Sequence, residues 1–229
     1  MSNAPLPSPT STSHFSKHRL EALTDGIYAV ALTILVLEIK LPEFTSAAAA
    51  LIGAHSTATW VNHHLVELLP RFFAWVLSFL ILAVFWRSHV RVFQHVRDVN
   101  QPLFWTNVLQ LLFASLVPFS SSLVGQYMAA FASTAVYAGN LIVIALLSLT
   151  QLALLRRYPE LVASPMAEAT RSALAFRLWM LIAAGVLAMV IAWFNLYYGT
   201  TAFLLMIVAA AASRRWERRK VAATSANRD

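Results

Sequence analysis

The hydrophobic residues of this chain are gathered into six long segments that polar stretches separate. The segments lie roughly at residues 24–41, 68–88, 103–125, 129–155, 176–196 and 199–213. An α-helix needs about 20 apolar residues to cross the hydrocarbon core of a bilayer. A turn at Tyr198 and Gly199 would make the last, short segment the second half of a helical hairpin. The pattern predicts an all-α integral membrane protein with six transmembrane helices per subunit.

The composition agrees with a membrane protein. Hydrophobic residues make up 59% of the 229 residues and charged residues only 12%, whereas an average soluble domain is about half apolar and a quarter charged. The chain has no cysteine, which excludes disulfides, thiolate metal sites and a cysteine nucleophile. We expect a disordered, Ser/Thr/Pro-rich cytoplasmic tail over 1–16, a six-helix membrane domain over 17–215 and a basic cytoplasmic tail over 216–229.

The basic residues favour one side of the predicted bundle. Of the 17 Lys and Arg residues, all but Lys40 and Arg71 precede the first segment, follow the sixth, or lie at or between the adjoining ends of the second and third or of the fourth and fifth. The positive-inside rule assigns this side to the cytoplasm. We therefore expect both termini in the cytoplasm and the protein in the inner or plasma membrane. The net charge of +7 then reflects topology, and no nucleic-acid partner is expected.

The loop between the first two segments contains the residues with which an enzyme would have to work. These are His55, His63, His64 and Glu67. Adjacent histidines do not face the same way on a helix and make a poor metal pair. No nucleophile accompanies them, so we expect no catalytic residue, no resident metal and no cofactor.

Polar residues near the cytoplasmic ends of three segments are candidates for a structural site. Arg19 and Asp25 are six residues apart, about 240° around a helix, so they need partners on other helices. Charges at a bilayer edge are costly unless they are paired. We expect a hydrogen-bonded network that fixes the first helix against the second and third, formed by Arg19, Thr24, Asp25, Trp86, His89 and Asn107. The alternative is that Arg19 extends to lipid headgroups and His89 faces water.

Val30, Thr33, Ile34 and Leu37 form one stripe on the first helix, because their spacing is i, i+3, i+4 and i+7. In many helical bundles such a stripe only packs against a neighbour. If several copies of the helix surrounded an axis, the same residues would form rings around a narrow pore. Apolar rings gate by dewetting, and a threonine ring offers hydroxyls to a partly dehydrated cation. The spacing alone does not choose between packing and pore lining.

Three blocks of sequence carry a family resemblance. They are Arg19-x-x-x-Leu23-Thr24-Asp25 with the apolar run to Ile39, then Phe85-Trp86 with His89 and Phe93, and finally Leu103-Phe104-Trp105 with Asn107 and the downstream Pro118-Phe119-Ser120. Over residues 17–125 these blocks resemble, in order, the RxxxFSD signature and first three helices of the transmembrane protein 175 family of potassium channels. Leu23 and Thr24 replace the phenylalanine and serine of that signature.

The resemblance implies a potassium-permeable cation channel with six helices per repeat and, since the motif occurs once, a homotetramer. It also implies that the first helix lines the pore, with a hydrophobic constriction at Val30, Ile34 and Leu37 and with Thr33 at a position tied to potassium preference. The motif residues would anchor this helix. No TVGYG-type filter occurs, so selectivity would come from side chains. Potassium would be the permeant ion, and membrane lipid the surrounding partner.

A secondary, possibly proton-coupled, cation transporter that uses Asp25 and His89 as titrating groups is the alternative function. Transporters usually place a charged site near the membrane midplane, often where helices are broken. The central stretches of the six segments lack ionisable residues, which favours the channel.

Overall fold

The computed structural model describes residues 16–39, 65–127 and 130–194. Within these ranges the chain forms α1 (Lys17–Leu37), α2 (Leu69–Phe93), α3 (Gln101–Ser115), α4 (Val117–Gln126), α5 (Phe131–Arg157) and α6 (Glu168–Phe194). The described ranges also contain one 3-10 turn, Pro159–Leu161, and an isolated antiparallel bridge between Val96 and Val162. The predicted sixth segment at 199–213 and nearly all of the two predicted tails lie outside them.

Five helical stretches in the described part of the chain are long and apolar enough to cross a membrane. They are α1, α2, the pair α3 and α4, α5, and α6; the pair covers 26 residues from Gln101 to Gln126. The prediction of an all-α membrane protein is therefore confirmed for this part of the chain. The count of six helices per subunit stays a prediction.

Two helices begin earlier than the hydrophobic pattern predicted. α1 begins at Lys17 rather than at residue 24, and α6 begins at Glu168 rather than at residue 176. Charged pairs along the helix occupy these first turns. Lys17 lies 3.6 Å from Glu21, and Arg171 lies 3.2 Å from Glu168. A hydropathy criterion stops at such charges, so it misses the helical turns that carry them.

The third span is interrupted at Leu116, whereas the pattern predicted one continuous segment there. Pro118 lies in the first turn of α4 and has no backbone N–H, so it removes one bond from the helical ladder. The hydroxyl of Ser115 donates to the carbonyl of Leu112 at 2.7 Å. The helical hydrogen-bond pattern resumes at Ser120, whose N–H donates to the carbonyl of Leu116 at 3.0 Å.

The described helices pack around a shared core. α1 packs against α2, α3 and α4, while α5 packs against α3, α4 and α6. The largest side chains with almost no exposure include Tyr28, Phe85, Phe93, Tyr137 and Ile144. Lipid tails are as apolar as these side chains, so close packing and interhelical hydrogen bonds hold such a bundle together.

The connection between α2 and α3 is joined to the connection between α5 and α6. The N–H of Ala163 donates to the carbonyl of His95 at 2.8 Å, and the N–H of Arg97 donates to the carbonyl of Leu161 at 2.7 Å. The guanidinium of Arg97 also donates to the carbonyl of Glu160 at 2.8 Å. The two connections therefore lie at the same end of the bundle. The side chain of Asn100 caps α3 there by accepting from the N–H of Leu103 at 3.0 Å.

Candidate functional site

One face of α1 is buried in the subunit and the opposite face is open. The buried residues are Leu20, Thr24, Tyr28, Ala31 and Leu35. Successive helical residues are about 100° apart, so a residue nine positions after Thr24 lies directly opposite it. That residue is Thr33, which is exposed. Beside it, Val30 is 55% exposed and Leu37 is 66% exposed. The subunit itself therefore does not cover the predicted stripe.

Ile34, the remaining member of the stripe, lies at the edge of an open apolar groove between α1 and the third span. The groove has a volume of about 680 Å³. The residues lining it include Leu23, Val30 and Ile34 from α1 and Leu111, Leu112 and Pro118 from the third span. An apolar helix of another molecule matches this surface chemically.

The hydroxyl group of Thr33 is already bonded within the helix. It approaches the carbonyls of Val30 and Ala29 at 2.9 and 3.1 Å. The hydroxyl proton goes to one of these carbonyl oxygens, which can only accept. The oxygen of Thr33 then has lone pairs but no proton to offer on the open face. An acceptor of this kind suits a cation rather than an anion.

Three buried side chains on three helices form a continuous hydrogen-bonded chain at the Lys17 end of α1. The amide nitrogen of Asn107 lies 3.0 Å from the hydroxyl of Thr24, and the ring Nε2 of His89 lies 2.7 Å from the amide oxygen of Asn107. The hydroxyl of Thr24 also lies 2.8 Å from the carbonyl of Leu20. The chain links α1 to α3 and α3 to α2.

The direction of every bond in this chain follows from the carbonyl of Leu20, which can only accept. Thr24 donates to that carbonyl, so it accepts from the amide nitrogen of Asn107. The amide oxygen of Asn107 must then face His89 and accept from its Nε2–H. The network therefore assigns the tautomer of His89 with the proton on Nε2. The ring of His89 also stacks on Phe93, with centroids 4.1 Å apart.

A second contact ties α1 to α2 nearer the surface. The indole N–H of Trp86 donates to a carboxylate oxygen of Asp25 at 2.8 Å. The structure thus places Thr24, Asp25, Trp86, His89 and Asn107 together. Arg19 is exposed, and within the described residues its side chain hydrogen-bonds to none of these five.

A second polar tier, which we did not expect from the sequence, lies one helical turn deeper. The amide nitrogen of Gln110 donates to the hydroxyl of Tyr28 at 3.1 Å and to that of Ser148 at 3.2 Å. Its amide oxygen accepts from the amide of Gln151 at 2.6 Å. The signal was present in the sequence, because Gln110 lies three residues after Asn107 and so shares its face of α3. Isolated amides inside apolar segments usually have such partners.

The histidines His55, His63 and His64 of the loop between the first two segments lie outside the described residues. Within the described ranges, no group of three His, Cys, Asp or Glu side chains is placed to hold a metal ion.

The fold and this geometry define a class: a multi-pass helical membrane protein whose first helix is anchored on one face by buried polar contacts and open on the other. Residues 19–118 match the family model described as the endosomal/lysosomal potassium channel TMEM175. This part of the chain is therefore similar to the TMEM175 family, and the matched region contains the contacts that both polar tiers make with α1.

Several named relatives share this similarity. The chain is 36% identical over 110 residues to a potassium channel of Chryseobacterium sp., covering 48% of this chain and 50% of the relative. It is 34% identical over 131 residues to a potassium channel of Chamaesiphon minutus, covering 56% and 60%. It is 32% identical over 113 residues to the endosomal/lysosomal proton channel TMEM175 of Mus musculus, covering 45% and 20%.

A solved structure resembles most of the chain. The crystal structure of a lysosomal potassium-selective channel TMEM175 homolog from Chamaesiphon minutus superposes with a TM-score of 0.68 and 26% sequence identity. The superposition covers 86% of this chain and 97% of that one. By sequence, however, the match spans only 50–60% of the two bacterial relatives' length.

Proposed function

We propose that this protein is a potassium-permeable cation channel whose pore is lined by the open face of α1. The observation that carries the proposal is the division of α1 into an anchored face and an uncovered one. The anchored face is held by Asn107 and Gln110, while Val30, Thr33 and Leu37 face away from the subunit. Bacterial relatives described as potassium channels support the choice of ion.

The proposed constriction is a set of apolar rings from Val30, Ile34 and Leu37. A narrow apolar ring loses its water easily and then blocks ions, so it acts as a gate without any charged residue. Thr33 lies between these rings, and its hydroxyl oxygen would replace part of the hydration shell of a passing cation. Selectivity built from hydroxyls rather than from a cage of backbone carbonyls would be modest.

A homotetramer would provide the ring. Copies related by a fourfold axis make head-to-tail contacts that close into a ring. A neighbouring copy would then pack against Leu111, Leu112 and Pro118, which form the third-span wall of the apolar groove, and the open stripe of α1 would face the axis. Arg19, which is exposed in one subunit, would reach the headgroups of surrounding lipid or a neighbouring subunit.

We also propose that both termini are cytoplasmic. The sixth predicted membrane segment, at 199–213, would then follow α6 and lead into the basic cytoplasmic tail at 216–229. The basic connections support this orientation in the inner or plasma membrane. The hydrogen bonds that join the α2–α3 and α5–α6 connections at one end of the bundle are consistent with it.

The competing function is a secondary transporter that uses Asp25 and His89. The proton channels among the animal relatives favour a titrating role, whereas the burial of His89 disfavours its charged form. Against it, α1 is continuous for 21 residues, and the interruption at Leu116 has no ionisable residue within one turn. A carrier needs a charged site that two states expose alternately.

The test is the reversal potential of the purified protein in a planar bilayer with potassium on one side and sodium on the other. The channel proposal expects a current that does not saturate at low concentration and reverses toward the potassium equilibrium potential. Thr33→Ala should reduce that shift. Thr150→Ala removes a comparable exposed helix hydroxyl on α5, bonded to Leu146, and should leave the shift unchanged. A flux that saturates and requires a proton gradient would instead identify a carrier.

A further inference from the structure

Gln110 is the hydrogen-bonding centre of the second polar tier. Its side chain is buried and uses both ends of the amide, with bonds to Tyr28 on α1 and to Ser148 and Gln151 on α5. The hydroxyl of Ser148 lies 2.9 Å from the carbonyl of Ile144. Because that carbonyl can only accept, Ser148 donates to it and accepts from the amide nitrogen of Gln110. The orientation of the Gln110 amide is therefore fixed by α5.

This arrangement connects two helices that barely touch. α5 packs against α3 and α4, and its direct packing with α1 is marginal in the described part of the chain. Gln110 spans the separation, because the same amide nitrogen that donates to Ser148 also donates to Tyr28. A displacement of α5 is therefore passed to α1 at the level of Tyr28. Val30, the first residue of the proposed constriction, follows two residues later.

We propose that Gln110 is a positioning residue for the pore, holding α1 at a radius that α5 sets. The proposal rests on the proposed function, in which the open face of α1 lines the ion pathway. The first tier, through Asn107 and His89, ties α1 to α2 and α3. The second tier brings α5 into the same framework. Together the two tiers fix α1 at two depths, so they resist tilting as well as sliding.

Single-channel recording of three variants tests the proposal. Gln110→Met keeps the volume of the side chain but removes every bond of the tier. Tyr28→Phe removes only the hydroxyl that receives the bond on α1. Gln151→Met removes one of the two partners on α5, whose amide donates to Gln110 and, within the described residues, makes no hydrogen bond to α1. We expect each variant to change unitary conductance about twofold or more, because residues that share one buried hydrogen-bonded network are energetically coupled.

The decisive comparison measures the effect of Gln151→Met twice, once in the parent protein and once in the Gln110→Met variant. If α5 acts on α1 through Gln110, Gln151→Met alters conductance in the parent protein but not in the Gln110→Met background. Asn140→Leu is the matched control, because it removes a buried amide whose hydrogen bond runs to Ser120 on α4 and not to α1. It should leave conductance unchanged. If Gln110→Met does not assemble, Tyr28→Phe carries the test, since it removes a single hydroxyl.

Two outcomes overturn the proposal. The first is parental conductance in assembled Gln110→Met, Tyr28→Phe and Gln151→Met channels. The second is an equal change in Asn140→Leu, which would indicate a general loss of packing. Both outcomes require a parent channel that conducts, so they differ from failure of the proposed function, in which the parent protein itself carries no potassium current.

Discussion

Thr24 and Thr33 point in opposite directions from the same helix. The hydroxyl of Thr24 is fully buried and accepts from Asn107, whereas Thr33 is exposed and its hydroxyl proton stays within α1. The two residues are nine positions apart, which is two and a half turns. One helix thus presents a fixed side to its own subunit and an apolar side with a single hydroxyl to whatever lies beyond it.

Asn107 is expected to stabilise the folded subunit through the first polar tier. Asn107→Leu leaves the Nε2–H of His89 without its acceptor in a buried position. An unsatisfied buried group costs about 1–3 kcal/mol, so the variant should unfold at a lower temperature in detergent. Gln126→Leu, which removes an exposed amide bonded to Ser122, is the control and should unfold like the parent. Equal stability of Asn107→Leu and the parent would contradict the anchoring role.

Asp25 is expected to help hold α1 against α2 through Trp86. Asp25→Ala removes the acceptor of the indole N–H and should lower the yield of assembled protein in size-exclusion chromatography. The contact is exposed in the single subunit, so the effect on subunit stability should be about 0.5–1.5 kcal/mol, as for an ordinary hydrogen bond. Asp25→Asn retains an acceptor oxygen and should restore most of the yield. If Asp25→Asn fails as severely as Asp25→Ala, the charge rather than this bond matters.

Ile34 and Leu37 are expected to limit ion flow. Ile34→Asn and Leu37→Asn make the rings more polar, so water should enter the constriction more easily and conductance should rise. Val186→Asn, an exposed apolar position on α6, tests for an unspecific effect of a polar residue at an apolar surface. Single-channel current at fixed potassium concentration is the measurement. Unchanged current in both α1 variants would mean that these residues pack rather than line a pore.

Gly185 is expected to permit the close approach of α5 and α6. A methyl group there would lie only 3.0 Å from the side chain of Ile142, whereas at Gly139 it would meet nothing within 4 Å. Alanine favours a helix over glycine by about 1 kcal/mol, which Gly139→Ala should gain. Gly185→Ala should lose that gain to overpacking, which typically costs about 1–3 kcal/mol. Thermal unfolding of the two variants checks the order, and a more stable Gly185→Ala protein would contradict it.

The sequence predicted the helical membrane class because long apolar segments have few other structures available to them. It also indicated which polar residues of the first tier would meet, since His89 and Asn107 lie at matching depth beside Thr24. It left open whether Arg19 would join the other five or extend to lipid, because depth in the membrane does not determine the direction in which a side chain points around the helix.

Gln110 was missed for a related reason. Its partners Ser148 and Gln151 are distant in the chain, and only the packing of α3 against α5 brings them to Tyr28. The early start of α1 and the interruption at Leu116 depend on local charge pairs and on Pro118. Hydropathy averages over both of these features.

In the proposed channel the open face of α1 lines the ion pathway, and cysteine accessibility tests this role most directly. The chain contains no cysteine, so single substitutions give an unambiguous thiol. A positively charged, water-soluble thiol reagent should block potassium current in Thr33→Cys and Leu37→Cys channels and should not affect the parent. Val186→Cys on α6 should also be unaffected. Block at Val186→Cys with none at Thr33→Cys and Leu37→Cys would contradict the claim and would move the ion pathway away from α1.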